Sequence, residues 1–145
     1  MNHVVNASVE LAAPPDAVWR ALTDPAITEK YFFKSRVLST WKEGSPIAFE
    51  RKFLGLFTFR LEGTVVRAEP NTVLQYRLRH HKFFGTAGPD EYSEVKDTLT
   101  PNGKGGTILS IRDDVGISEG ADKRCQRSVQ GWKKILEGLQ DYLKA

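Results

Sequence analysis

A chain of 145 residues, 40% hydrophobic and 27% charged, has the composition of one soluble globular domain, and no apolar run approaches the roughly 20 residues of a membrane-spanning helix. The net charge of +3 arises from Lys and Arg scattered among Asp and Glu, which leaves no basic stripe for nucleic acid. A single cysteine, Cys125, excludes an internal disulfide, and its apolar helical neighbours suit a small buried hydrophobe better than a nucleophile.

Met1 to Glu10 lacks the basic region, apolar stretch and cleavage site of a secretory signal, so a cytoplasmic address is expected. Val4 to Leu11 alternates as a strand until Pro14-Pro15, where proline's fixed φ and missing N–H suit the opening of a helix. Val18, Trp19 and Leu22 fall at helical spacing. Asp24-Pro25 then ends that helix and supplies a cap and first-turn proline for a second one over Ala26 to Phe32.

From Ser35 to Asp113 the period is two, punctuated at Gly44-Ser45-Pro46, Leu54-Gly55, Pro70-Asn71, Gly88-Pro89 and Pro101 to Gly106. Ile47/Phe49/Phe53, Phe57/Phe59/Leu61, Leu74/Tyr76/Leu78, Val95/Leu99 and Leu109/Ile111 each share one face of a strand. This predicts antiparallel strands with one wet and one buried face. From about Ser118 to Lys144, Cys125, Val129, Trp132, Leu136, Leu139 and Leu143 recur at 4-3-4-3-4 spacing, the stripe of an amphipathic helix that needs an apolar surface to lie on. The concave sheet is its natural partner. Residues 1–145 therefore read as a single α+β domain, with neither repeat nor linker.

The order β-α-α-β(run)-α resembles the helix-grip superfamily of START lipid-transfer domains and polyketide cyclases. Closer matches are Ala13-Pro14-Pro15-Asp16-Ala17-Val18-Trp19-Arg20-Ala21-Leu22-Thr23-Asp24-Pro25, the Trp41-Lys42-Glu43-Gly44 turn, Gly105-Gly106-Thr107 and Gly131-Trp132 to Leu143. Together they resemble the family related to the C-terminal domain of the activator of the ninety-kilodalton heat-shock-protein ATPase. The resemblance implies a curved antiparallel sheet wrapped around the long C-terminal helix, with a cavity between them. Two departures stand out: Tyr31-Phe32-Phe33 occupies the place where many members carry a Trp after the second helix, and Asp97 occupies a usually apolar strand position.

Within that fold, the expected cavity residues are Trp19, Phe49, Phe59, Tyr76, Trp132 and Leu136, joined by Arg51 and Asp97, which alternation places on otherwise apolar faces. A buried charge demands a partner. Either Arg51 and Asp97 orient the polar end of a ligand, or a bulge or the cavity rim returns them to solvent. Gly131 and Gly138, inside the last helix, signal either close packing or room beside Trp132.

Adjacent His80 and His81 point to opposite faces of a strand and make a poor chelating pair, so no metal or other cofactor is expected. Phe83 and Phe84 suit a loop over a pocket mouth or against a partner, with core packing of at least one as the plainer reading. No serine or histidine assembles with a base partner, and Gly103-Lys104-Gly105-Gly106 reads as a hairpin turn and not a phosphate loop, so no catalytic residue is assigned. The leading expectation is a binding protein for a small hydrophobic molecule, such as a lipid, sterol-like or aromatic compound. One alternative, from the resemblance, is a chaperone-associated module meeting a heat-shock ATPase. Another is a cyclase or hydrolase-like enzyme using Asp97, Arg51 or Tyr76. Monomer and homodimer both remain open.

Overall fold

The computed structural model describes residues 3–53, 57–79, 92–116 and 121–144, apart from the side chains of Phe53, Phe57, Phe59, Tyr92, Ala121 and Arg124. The elements run β1 (His3–Leu11), α1 (Pro15–Thr23), α2 (Pro25–Tyr31), β2 (Arg36–Ser39), β3 (Pro46–Phe53), β4 (Phe57–Glu69), β5 (Val73–Arg79), β6 (Tyr92–Pro101), β7 (Thr107–Gly116) and α3 (Ala121–Lys144). All strands join one seven-stranded antiparallel sheet in the order β1-β7-β6-β5-β4-β3-β2. This is the helix-grip architecture, with the curved sheet closed by α3 and by the α1–α2 corner. No helix among the described residues is long and apolar enough to cross a membrane.

The corner between α1 and α2 has a local cause. Pro15 and Pro25 each stand in a helix's first turn, and the Asp24 carboxylate accepts a hydrogen bond from the Ala26 N–H at 2.9 Å, capping α2 where its free N–H groups begin. Inside α2, Thr28 and Tyr31 are buried; the Tyr31 hydroxyl donates to the Ala21 carbonyl of α1 at 2.6 Å and fixes the two helices together.

Period-two alternation sets the concave face. Ile47 and Phe49 on β3, Leu74, Tyr76 and Leu78 on β5, Val95 and Leu99 on β6, and Leu109 and Ile111 on β7 are all buried. Gly63 lets β4 lie close against β5, because a Cβ there would lie 1.7 Å from the Arg77 carbonyl oxygen. The β6–β7 turn is the expected hairpin, organised by the Asn102 side chain, which accepts from the N–H groups of Lys104 and Gly106.

The stripe of α3 differs from the expected one at its N-terminal end. Trp132, Leu136 and Leu139 are buried as expected and Ile135 joins them, but Val129 is 48% exposed. Ser128 takes the inward direction, its hydroxyl bonded to the Asp113 carboxylate. The reason lies in the sheet: at this level the concave face offers a carboxylate, so a hydroxyl turns toward it and the valine faces outward.

Candidate ligand-binding cavity

Between the α1–α2 corner and the concave sheet lies a small internal cavity. Leu22, Tyr31 and Phe32 line it from the helices, Val37 and Trp41 from β2 and the turn after it, and Phe49, Leu74, Tyr76 and Asp97 from the sheet. Its free volume is about 10 Å³, the room of a single water molecule. Phe32 occupies the middle of the aromatic wall: its ring centroid lies 5.2 Å from that of Phe49 and 5.9 Å, edge to face, from that of Trp132, while Phe49 lies 5.6 Å from Tyr76.

Asp97 is the polar group in this wall. Across the ladders it faces Leu74 on β5 and Ile111 on β7, so its direct neighbours are aliphatic. It is 3% exposed, and its Oδ1 has no hydrogen-bond partner. Burial, with the nearby Asp113 charge adding to it, pushes the Asp97 carboxyl up to about 8, so at neutral pH it holds its proton. Burial also raises the Tyr31 and Tyr76 hydroxyls, and Asp97 adds to both effects. The site thus collects neutral acids that resist losing a proton.

Asp113 sits diagonally across the β6–β7 ladder, opposite Val95. One of its carboxylate oxygens accepts from the Trp132 indole N–H at 2.9 Å and from the Ser128 hydroxyl. The Gly131-Trp132 pair is therefore fixed to the sheet through a buried charge-assisted bond. Its other oxygen, Oδ1, is without a partner.

Outside the cavity, a groove of about 720 Å³ runs along α3, lined by Phe33, Gly131 and polar residues that include Lys123, Arg127 and Lys134. Phe32 and Phe33 divide groove from cavity. Phe33 and Lys34 both hold left-handed backbone angles, φ 51° and 59°, and Trp41 on the cavity wall does too, at 59°. Such angles are costly for non-glycine residues; Asn71, in the turn between β4 and β5, is the other described one, at 65°.

The pattern of the family described as "Activator of Hsp90 ATPase homolog 1-like protein" matches residues 12–144. The chain belongs to this family. No functionally curated protein matches it. Among solved structures, protein MLL2253 from Mesorhizobium loti is 24% identical with a TM-score of 0.78, over 97% of this chain and 96% of that one. ChR145 from Cytophaga hutchinsonii is 30% identical with a TM-score of 0.77, over 97% and 93%. DynU16, a protein of the dynemicin biosynthetic locus, is 21% identical with a TM-score of 0.76; this chain is covered fully but spans 48% of that one.

The site residues read from the sequence of this Hsp90-ATPase-activator-like chain separate into several groups. Phe49, Tyr76 and Asp97 line the cavity. Trp132 stands behind it, in contact with Phe32. Leu136 is buried and the half-buried Trp19 packs on the core, but neither lines the cavity. Arg51 is exposed and does not belong to it, because β3 continues outward past Phe49 into the hairpin, where the alternation still holds but nothing described covers it. The Phe59 side chain lies outside the described residues, as do His80, His81, Phe83 and Phe84. Gly131 and Gly138 serve different ends: a Cβ at Gly138 would lie 3.2 Å from the Tyr31 Cβ, whereas one at Gly131 would meet only Phe33, at 3.9 Å. Among the described residues no three His, Cys, Asp or Glu side chains are grouped to hold a metal.

Sequence reasoning missed Tyr31, Phe32, Trp41 and Asp113 as parts of one constellation. A signal for Asp113 was present, since it continues the Leu109/Ile111 alternation by one further step. Tyr31 and Phe32 were noted only as a departure from the family pattern, and the fold brings that departure and the other one, Asp97, to the same cavity.

Proposed function

We propose that this protein binds a small, mostly apolar molecule in the cavity between the concave sheet and the α1–α2 corner, with Phe32 swinging aside to admit it. The observation that carries this reading is Asp97: a buried carboxyl group with a partnerless oxygen, on the wall of an otherwise apolar space. A core selected for stability alone gains nothing from such a group, which costs free energy until something bonds to it. The cavity with Phe32 in place is too small for an organic ligand, but moving one phenyl ring frees space on the order of the roughly 150 Å³ cavity that holds benzene in an engineered core. The strained Phe33-Lys34 backbone immediately after Phe32 supplies a segment able to relax as the ring moves. Gly131 lines the outer groove and presents no side chain to Phe33, the residue next to Phe32.

The heat-shock ATPase partner suggested by the family's description draws on no feature of this site, so the ligand reading is preferred. Titrating small aromatic compounds into the protein and its Phe32→Ala variant, followed by amide chemical shifts, tests it. Saturable shifts at Phe49, Tyr76 and Asp97, with tighter binding by the variant, are expected. If neither protein shows shifts at these positions, the cavity is only an imperfectly packed core.

A further inference from the structure

Resting on the ligand-binding reading above, we infer that the molecule taken into this cavity carries a protonated amine, whose N–H bonds Asp97 while the surrounding aromatic rings face its positive charge. Three features of the site converge on this class. The protein gives Asp97 Oδ1 no hydrogen-bond partner: its ladder neighbours are Leu74 and Ile111, and the Tyr31 hydroxyl is already given to the Ala21 carbonyl. No Lys, Arg or His lines the cavity, so a cationic partner has to come from outside.

The wall is aromatic where a cation gains from it. Tyr31, Phe32, Trp41, Phe49 and Tyr76 line the same space as the carboxyl, and the negative faces of such rings attract an ammonium group strongly once water is removed. A carboxyl group that shares its cavity with aromatic rings offers an amine both a hydrogen-bond partner and π faces.

Electrostatics distinguishes among the alternatives. An anionic ligand meets Asp97 and the charge of Asp113 beyond it. A neutral carbonyl ligand accepts the Asp97 proton but gains nothing from Asp113. A cation is stabilised by both carboxylates. The titratable groups around Asp97 among the described residues are Tyr31 from α2, Tyr76 from β5 and Asp113 from β7, with Tyr142 of α3 beside Tyr31; none of them supplies a positive charge. Because burial holds the empty carboxyl protonated up to about pH 8, an ammonium that enters at neutral pH forms its ion pair by expelling that proton to solvent. One proton leaves, and the charge brought in by the ligand replaces it.

Benzylammonium, benzyl alcohol and benzoate share a shape and differ in charge, and isothermal titration of each into the protein at pH 7 tests the inference. Benzylammonium should bind on the order of tenfold tighter than the alcohol, benzoate should be the weakest, and heats in buffers of different ionisation enthalpy should report close to one proton released per ammonium bound. In Asp97→Asn the proton release and the preference for the ammonium should both disappear while the alcohol still binds. If the alcohol equals or exceeds the ammonium in the unmodified protein, the amine inference is overturned and the cavity reading survives. If none of the three binds, both are overturned.

Discussion

Asp97 and Asp113 occupy one concave face, a strand apart and diagonal across the same ladder, and each keeps its Oδ1 without a partner, yet the fold surrounds them differently. Asp113 lies where α3 crosses the sheet, and the helix brings it an indole N–H and a hydroxyl. Asp97 lies under the α1–α2 corner, where the helices bring it aromatic rings and leave Oδ1 bare. The same side chain thus serves as a clamp in one region and as an unmet demand in the other. The donors on Asp113 Oδ2 show how α3 is held; on the ligand reading proposed above, Asp97 is the group a bound molecule would satisfy.

The sharpest way to break this contrast is through Trp132. Trp132→Ala should destabilise the protein by about 3–5 kcal/mol in urea unfolding, as loss of a large buried aromatic does. Trp132→Phe, which keeps a ring but removes the donor to Asp113, should still cost about 1–3 kcal/mol. A phenylalanine variant as stable as the parent would show that the clamp contributes nothing.

Asp97 makes the complementary prediction, with the opposite sign. Its carboxyl is raised from 3.8 in the unfolded chain to about 8 in the folded one, so between those values the folded protein holds a proton that the unfolded chain has released. The group's contribution to stability is therefore fully present below about pH 4 and declines as pH rises to 8, at roughly 1.4 kcal/mol per pH unit. Asp97→Asn removes that slope. The stability of the variant relative to the parent should increase steadily from pH 4 to 8 and level off beyond. An offset independent of pH across that window would mean that Asp97 is ionised in the folded protein.

The smallest effects are expected at the two helical glycines. Gly131→Ala should stabilise by about 0.5–1 kcal/mol, the usual gain of alanine over glycine in a helix interior, since its Cβ meets only Phe33 at contact distance. Gly138→Ala should gain less or lose stability, because its Cβ presses on Tyr31 of α2. Thermal melts of the two variants compare them directly. Equal gains would show that Tyr31 gives way freely and that α2 is not held tightly at this end.

Much of the fold was legible because its signals are local and periodic. Asp24-Pro25 encodes both the end of one helix and the cap of the next, and the alternation in β3, β5 and β7 names the buried face directly. The candidate site was legible only in part. Alternation placed Asp97 correctly on the apolar face, but the same rule applied to Arg51 failed, since periodicity gives a side chain's direction and not whether anything lies over it. Val129 misled for a related reason: its spacing fits the stripe, but the surface beneath carries Asp113, a tertiary fact that no helical period contains. Phe32 was expected as the last residue of the second helix but lies just past its end, in neither helix nor strand, so helical spacing did not give its side; its place at the centre of the aromatic wall follows from the corner that precedes it.

The strand order also bears on how the chain is made. β1 emerges first, yet its partner β7 begins only at Thr107. At translation rates of roughly 5–20 residues per second, the first strand waits on the order of ten seconds on the ribosome before its complement is synthesised. Throughout that interval Val5, Val9 and Leu11 lack the strand beside which they pack, and only β7 joins β1 to the rest of the sheet.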